Sequence, residues 1–128
     1  MTTIDLLKKT KASWGSIRSA DAEEKNRLLL AMAESLETNC ADILRENSKD
    51  LDAARGHISE VMLDRLALTE ARIRAMADGI REAAALPDHV GRTLAQFVRP
   101  NGMTITKRQV PLGLVAIIYE SRPNVTSD

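Results

Sequence analysis

Aromatic residues are nearly absent: Trp14, Phe97 and Tyr119 are the only three in 128 residues. A surface that stacks on bases needs more of them, and single-stranded nucleic acid is excluded on that ground. Positive charge is not in excess either, because 18 Lys and Arg are matched by 18 Asp and Glu. A net charge of zero gives no general attraction to phosphate backbones or anionic bilayers, so neither nucleic acid nor membrane is an expected partner. One cysteine, Cys40, cannot form an internal disulfide and fits a reducing compartment. His57 and His89 have no Cys, His or carboxylate neighbours at a metal-ligand spacing, so no metal site is expected. The start, MTTIDLLKKTKASWG, has no apolar stretch ending in a small-residue cleavage site. The longest apolar run near the end, LVAII at 114–118, is far shorter than a bilayer span. The expected location is the cytoplasm.

What is present is aliphatic. Apolar residues make up 44% of the chain and charged residues 28%, ordinary values for a soluble domain with one modest core. The apolar set is mostly Ala, Leu and Ile, which suits helices packed through small side chains.

Five helices are expected before residue 87. Thr2 with Asp5 three residues later is a capping-box start for a helix over 2–18, with Ile4, Leu7, Trp14 and Ile17 near one face. Asp21 and Glu24 open a second helix over 21–38, where Leu28, Leu29, Met32 and Leu36 give the 3.6-residue period. The acidic run Asp21-Ala22-Glu23-Glu24 complements the positive end of that helix. A third helix runs from about Ala41 to Arg55 with Ile43, Leu44, Leu51 and Ala54 inward, and Gly56 supplies a left-handed cap. Ser59 caps a short fourth helix, flanked by Ile58 and Leu63 at staple spacing. Thr69 caps a fifth, on which Ile73, Met76, Ala77, Ile80 and Ala84 form a stripe, and Pro87 ends it.

The pattern then changes from helix to strand. LAQFVRP and MTITKRQV flank Asn101-Gly102, a strong hairpin signal, and a polar two-stranded ribbon of this kind needs another surface to lie on. LVAIIY at 114–119 is a continuous β-rich apolar run, as expected for a strand covered on both faces in a parallel sheet. The expected organisation is a helical region over 1–92, a ribbon over 93–110, and the start of a further domain over 111–128.

VPLGLVAIIYESRPNVTSD at 110–128 resembles the signature with which the γ-glutamyl phosphate reductase family enters its cofactor-binding domain. EKNRLLLAMAESLE at 24–37, SEVMLDRLALTEARIRAMADGIREAAALPDHVG at 59–91 and KRQVPLG at 107–113 agree with the same family in the same order. The resemblance implies membership of the aldehyde dehydrogenase superfamily: an α/β fold with a Rossmann-like NADP domain, a nucleophilic cysteine, and an oligomerisation ribbon. It implies NADPH as cofactor and L-glutamyl 5-phosphate as substrate in proline biosynthesis. It also implies a homo-oligomer joined through 93–110, and association with the glutamate 5-kinase of the same pathway. The family's nucleophilic cysteine and most of its nucleotide-binding strands are expected beyond residue 128, so the chain by itself is expected to be inactive. The alternative is a non-catalytic interaction module derived from that enzyme.

Site roles follow from the same resemblance. Asn124 corresponds to an asparagine whose side-chain amide stabilises the oxyanion of a tetrahedral intermediate, although an asparagine also suits an ordinary proline-containing turn. Tyr119, Glu120 and Ser121 are implied beside the nicotinamide, where ligands of open α/β sheets bind; the alternative is a strand-exit turn. Arg122 is implied as the partner of the substrate's phosphate or α-carboxylate; the alternative is a surface or structural ion pair, for instance with Glu120. GxGxxG does not occur, in keeping with a superfamily that does not use that loop. Pro111 and Gly113 read as structural, and Cys40 as an inert helix cysteine.

Overall fold

The computed structural model describes residues 2–128. Its elements are α1 (Thr3–Ser19), α2 (Ala22–Thr38), α3 (Cys40–Ala54), α4 (Glu60–Leu66), α5 (Glu70–Ala85), β1 (Thr93–Val98), β2 (Thr104–Arg108) and a 3-10 turn, Pro123–Thr126. Local chemistry explains the boundaries. Thr2 and Asp5 complete a reciprocal capping box at α1. Ser59 accepts from the Met62 amide, and Thr69 from the Arg72 amide. Gly56 follows α3 at φ 78°, where an L side chain would be strained.

The chain divides into two compact units. The first holds residues 1–22 and 87–116. No residue of α1 is buried; on its expected inward face Ile4, Leu7 and Ile17 are exposed, Ile4 at 64%, and Trp14 is half-buried. β1 and β2 form an antiparallel hairpin in which Phe97 faces Ile105 and Val98 faces Thr104, with a register shift between Thr93 and Ala95. Every residue of β1 is exposed. The Arg99 guanidinium lies 5.4 Å from the centre of the Phe97 ring.

The hairpin's loop has three residues, and the reason is Pro100. A two-residue Asn-Gly turn would require residue 100 to donate its amide to Met103, and proline has no N–H to give. Arg99 donates to the Met103 carbonyl instead, at 2.8 Å, while Gly102 donates to the Arg99 carbonyl at 2.9 Å. Gly102 takes φ 84° and Asn101 stays out of the left-handed region, its side chain accepting from the Met103 amide.

The second unit holds residues 23–86 and 117–128. Its core is made of small contacts: Ala33 of α2 with Ala77 and Ile80 of α5, and Leu29 and Leu36 packed around them. Ile73 and Ala84 complete the buried stripe of α5, so four of the five residues expected there are buried. On α2 the centre of the face is Ala33, while Leu28 and Met32 are 45% and 50% exposed. The periodic large residues mark the right side of that helix, and its one fully buried residue is an alanine.

One expectation fails in this structure. Residues 114–119 form no strand, and Leu114, Val115, Ile117 and Ile118 are exposed, Ile118 completely. A β-strand is defined by its ladder, and the two described strands pair only with each other. The segment keeps the composition of a buried strand without a neighbour to hydrogen-bond.

Charge is divided unevenly between the units. The first carries Lys8, Lys9, Lys11, Arg18, Arg92, Arg99, Lys107 and Arg108 against Asp5, Asp21 and Asp88. Because the whole chain balances, the second unit is acidic by the same margin.

Candidate functional site

The candidate site is the segment 119–128 and the helical surface on which it sits. Ser121 turns the chain at φ 51°, in the left-handed region that a serine rarely enters. Pro123 then occupies the first turn of the 3-10 helix, where its missing N–H costs nothing. The Val125 amide donates to the Arg122 carbonyl at 3.0 Å. The Asn124 carbonyl accepts from the Ser127 amide at 3.0 Å, the Asp128 amide at 3.3 Å and the Ser127 hydroxyl at 2.7 Å. Tyr119 and Thr126 join their hydroxyls across the turn. These bonds hold the backbone of Asn124 while leaving its side chain largely uncommitted. The Nδ2 group reaches only Asp128, at a long 3.4 Å.

Two depressions show how the turn is seated. Pro123 and Thr126 border one of about 440 Å³ with Leu36, Ile43, Asn47, Leu68 and Met76. Asn124 borders another of about 340 Å³ with Ala67, Leu68, Arg72, Ala75 and Met76. Asn124 thus stands beside the link between α4 and α5, with an amide that has two N–H donors to offer.

The other residues singled out in the sequence are placed as follows. Glu120 and Arg122 are both exposed and form no ion pair with each other. Ser121 is half-buried and Tyr119 is 45% exposed. Cys40 is a free, half-buried thiol at the start of α3. Among the described residues no group of three or more His, Cys, Asp or Glu is placed to hold a metal, and no helix is long and apolar enough to cross a membrane.

Three supporting residues escaped the sequence reading. Asn47 is 5% exposed, donates to the Leu66 carbonyl at 2.9 Å and accepts from the Leu68 amide at 2.8 Å. Arg72 binds the Ala67 carbonyl at 2.7 Å and the Asp64 carboxylate at 2.9 Å. Arg81 joins α5 to Glu37 of α2. Only Asn47 left a signal: it lies four residues from both Ile43 and Leu51, a polar residue on an apolar stripe.

Comparison with known proteins follows the same residues. A protein of Neisseria meningitidis serogroup C (strain 053442) is 60% identical over 118 residues, covering 92% of this chain. One of Streptococcus suis (strain 05ZYH33) is 52% identical over 127 residues, covering 99%. Both are gamma-glutamyl phosphate reductases. The match is to that enzyme, over nearly the whole chain. The crystal structure of gamma-glutamyl phosphate reductase from Thermotoga maritima agrees, with a TM-score of 0.91 and 38% identity over 97% of this chain. The chain spans 28% and 31% of the two curated reductases and 30% of the solved one. No model of a protein family matches. A match over 127 residues takes in Tyr119 to Asn124, so the candidate site lies within the part shared with the reductases.

Proposed function

We propose that this chain works as part of an NADPH-dependent oxidoreductase that converts L-glutamyl 5-phosphate to L-glutamate 5-semialdehyde and phosphate, a step of L-proline biosynthesis in the cytoplasm. The observation that carries this reading is the match to gamma-glutamyl phosphate reductases across nearly the whole chain, candidate site included. In the complete enzyme the fold is α/β with a Rossmann-like cofactor domain, to which the apolar run 114–119 contributes its first strand. The missing ladder partners of that run come from the same domain.

Each residue has a chemical task. A cysteine thiolate elsewhere in the enzyme attacks the acyl phosphate, the carbonyl oxygen gains negative charge in the tetrahedral intermediate, and that charge returns to the C=O bond of the thioester as phosphate is expelled. The Asn124 amide, held by its backbone and little used by its own neighbours, donates a hydrogen bond to that oxygen. Preorganised donors of this kind contribute about 2.7–4 kcal/mol to the transition state. Arg122, exposed and without an ion pair, binds the substrate's phosphate or α-carboxylate. NADPH, when bound, supplies the hydride that reduces the acyl group. The hydroxyl and carboxylate of Ser121 and Glu120 and the ring of Tyr119 suit its nicotinamide and ribose. Its phosphates need cations, and Arg122 is the only one between residues 117 and 128, so they are held elsewhere.

A chimera tests the proposal. The 127 matched residues of the Streptococcus suis reductase are replaced by this chain, and NADPH formation from glutamate 5-semialdehyde, NADP and phosphate is followed. Phosphate-dependent turnover that falls on Asn124→Ala supports the reading. A folded chimera without turnover overturns it.

The open hairpin favours an additional role. Both faces of β1 are exposed, with Leu94, Phe97 and Val98 at the surface, and the segment 93–110 is proposed to join copies of the enzyme. A contact with the pathway's glutamate 5-kinase is proposed on the same footing. Sedimentation of the chimera with and without Phe97→Glu and Val98→Glu tests the self-association. Unchanged mass in the doubly substituted protein removes it.

A further inference from the structure

Asn47 is the one polar residue buried in the helical unit, and its two hydrogen bonds both end on the link between α4 and α5. Leu66 is the last residue of α4, and its carbonyl lies among those a helix end leaves without an intrahelical partner. Leu68 comes just before the cap of α5, and its amide is likewise outside any helix. One side chain therefore satisfies an acceptor and a donor on either side of Ala67. Arg72 holds the same link at the Ala67 carbonyl.

Ala67 and Leu68 form the wall beside Asn124, and Asn47 itself borders the depression under Pro123 and Thr126. Asn47 therefore touches both parts of the surface that seats the turn. We propose that Asn47 is a positioning residue, which sets the height of the 66–68 link and through it the place of the Asn124 amide. This rests on the role given to Asn124 above. An alanine at 47 would leave the Leu66 carbonyl and the Leu68 amide without their present partners at a half-buried position, and the link would shift to find others. A shift of about an ångström in a supporting wall is enough to cost up to roughly a hundredfold in turnover.

The test uses the chimeric reductase. Asn47→Ala is expected to lower kcat by about tenfold or more while KM for glutamate 5-semialdehyde stays within about twofold. In an Asn124→Ala background the same substitution is expected to change kcat by less than about twofold, because coupled residues are not additive. Amide hydrogen exchange of residues 124–128 should quicken in Asn47→Ala, with exchange in α1 unchanged. Asn47→Asp keeps the volume and the bond from Leu68, and serves if the alanine variant does not fold. Additive effects on kcat, or unchanged exchange at 124–128, overturn the proposal. If Asn124→Ala alone leaves turnover intact, the role of Asn124 fails, and the exchange measurement still decides whether Asn47 positions the turn.

Discussion

Arg81 and Glu37 lie forty-four residues apart and meet face to face, Nη1 on Oε1 at 3.1 Å and Nη2 on Oε2. Asp78 takes a second share of the same guanidinium at 2.9 Å. The two-pronged contact fixes the spacing of α2 and α5 at the edge of the alanine core. A lysine offers one compact charge where arginine offers a planar fork. Arg81→Lys should therefore lower the melting temperature more than Arg45→Lys, whose carboxylate partner is on its own helix. Equal shifts for the two variants would show that the fork adds nothing.

The same pair gives a pH dependence. Arg81 hydrogen-bonds the Glu37 carboxyl and holds its pKa below the ordinary 4.5. The folded chain thus keeps Glu37 ionised at acidities where the unfolded chain has taken up a proton. The stabilisation is complete above pH 4.5 and is lost as pH falls through the depressed folded value. Melting curves of the parent and Glu37→Gln should converge on acidification, and a gap independent of pH would contradict the assignment.

The Thr69 hydroxyl caps the entry to α5 by accepting from the Arg72 amide at 3.1 Å. Thr69→Ala should destabilise the helical unit by about 1 kcal/mol, and Thr69→Ser by much less, in chemical denaturation. Ile73, at 1% exposure, is the largest fully buried side chain. Its replacement by alanine should cost about 2–5 kcal/mol, against about 0.5–1.5 for valine.

A Cβ added at Gly102 would have nothing within 4 Å, so a methyl group there meets no clash. The penalty of Gly102→Ala comes from its φ of 84° alone, roughly 1–2 kcal/mol. Amide exchange in Thr104–Arg108 should quicken, and Gly102→Asn should lie between the two. Unchanged exchange in the alanine variant would mean that the loop re-forms with another turn.

Helix boundaries were legible because their determinants are local. Thr2, Ser59 and Thr69 cap the helices that follow them, and each of these caps can be read from a few neighbouring residues. The stripe on α5 was legible for the same reason. Ala33 was not, since periodicity draws the eye to large side chains, and the fully buried residue of α2 is a small one. Arg72 and Arg81 were invisible because a charged residue on a helix looks alike whether it faces water or reaches across to a carboxylate. The three-residue hairpin loop was readable in principle from Pro100 and was hidden by the stronger Asn-Gly signal. The strand at 114–119 shows the limit of composition: apolar residues declare a wish to be covered, and pairing needs a second chain segment. At the site, the segment 119–124 was found through family likeness. Asn47 needed coordinates to show which backbone groups it serves.

The uneven division of charge makes the zero total a poor guide to behaviour in solution. A resin or a colloid meets local charge and not the sum, and this chain carries a cationic unit and an anionic unit. At low salt and neutral pH it should be retained by sulfonate and by quaternary-ammonium matrices alike. Both should release it as ionic strength shortens the reach of each unit, to about 10 Å at 0.1 M. A protein of zero net charge is usually expected to pass through either column; this one carries two units of opposite sign, and each can bind on its own account.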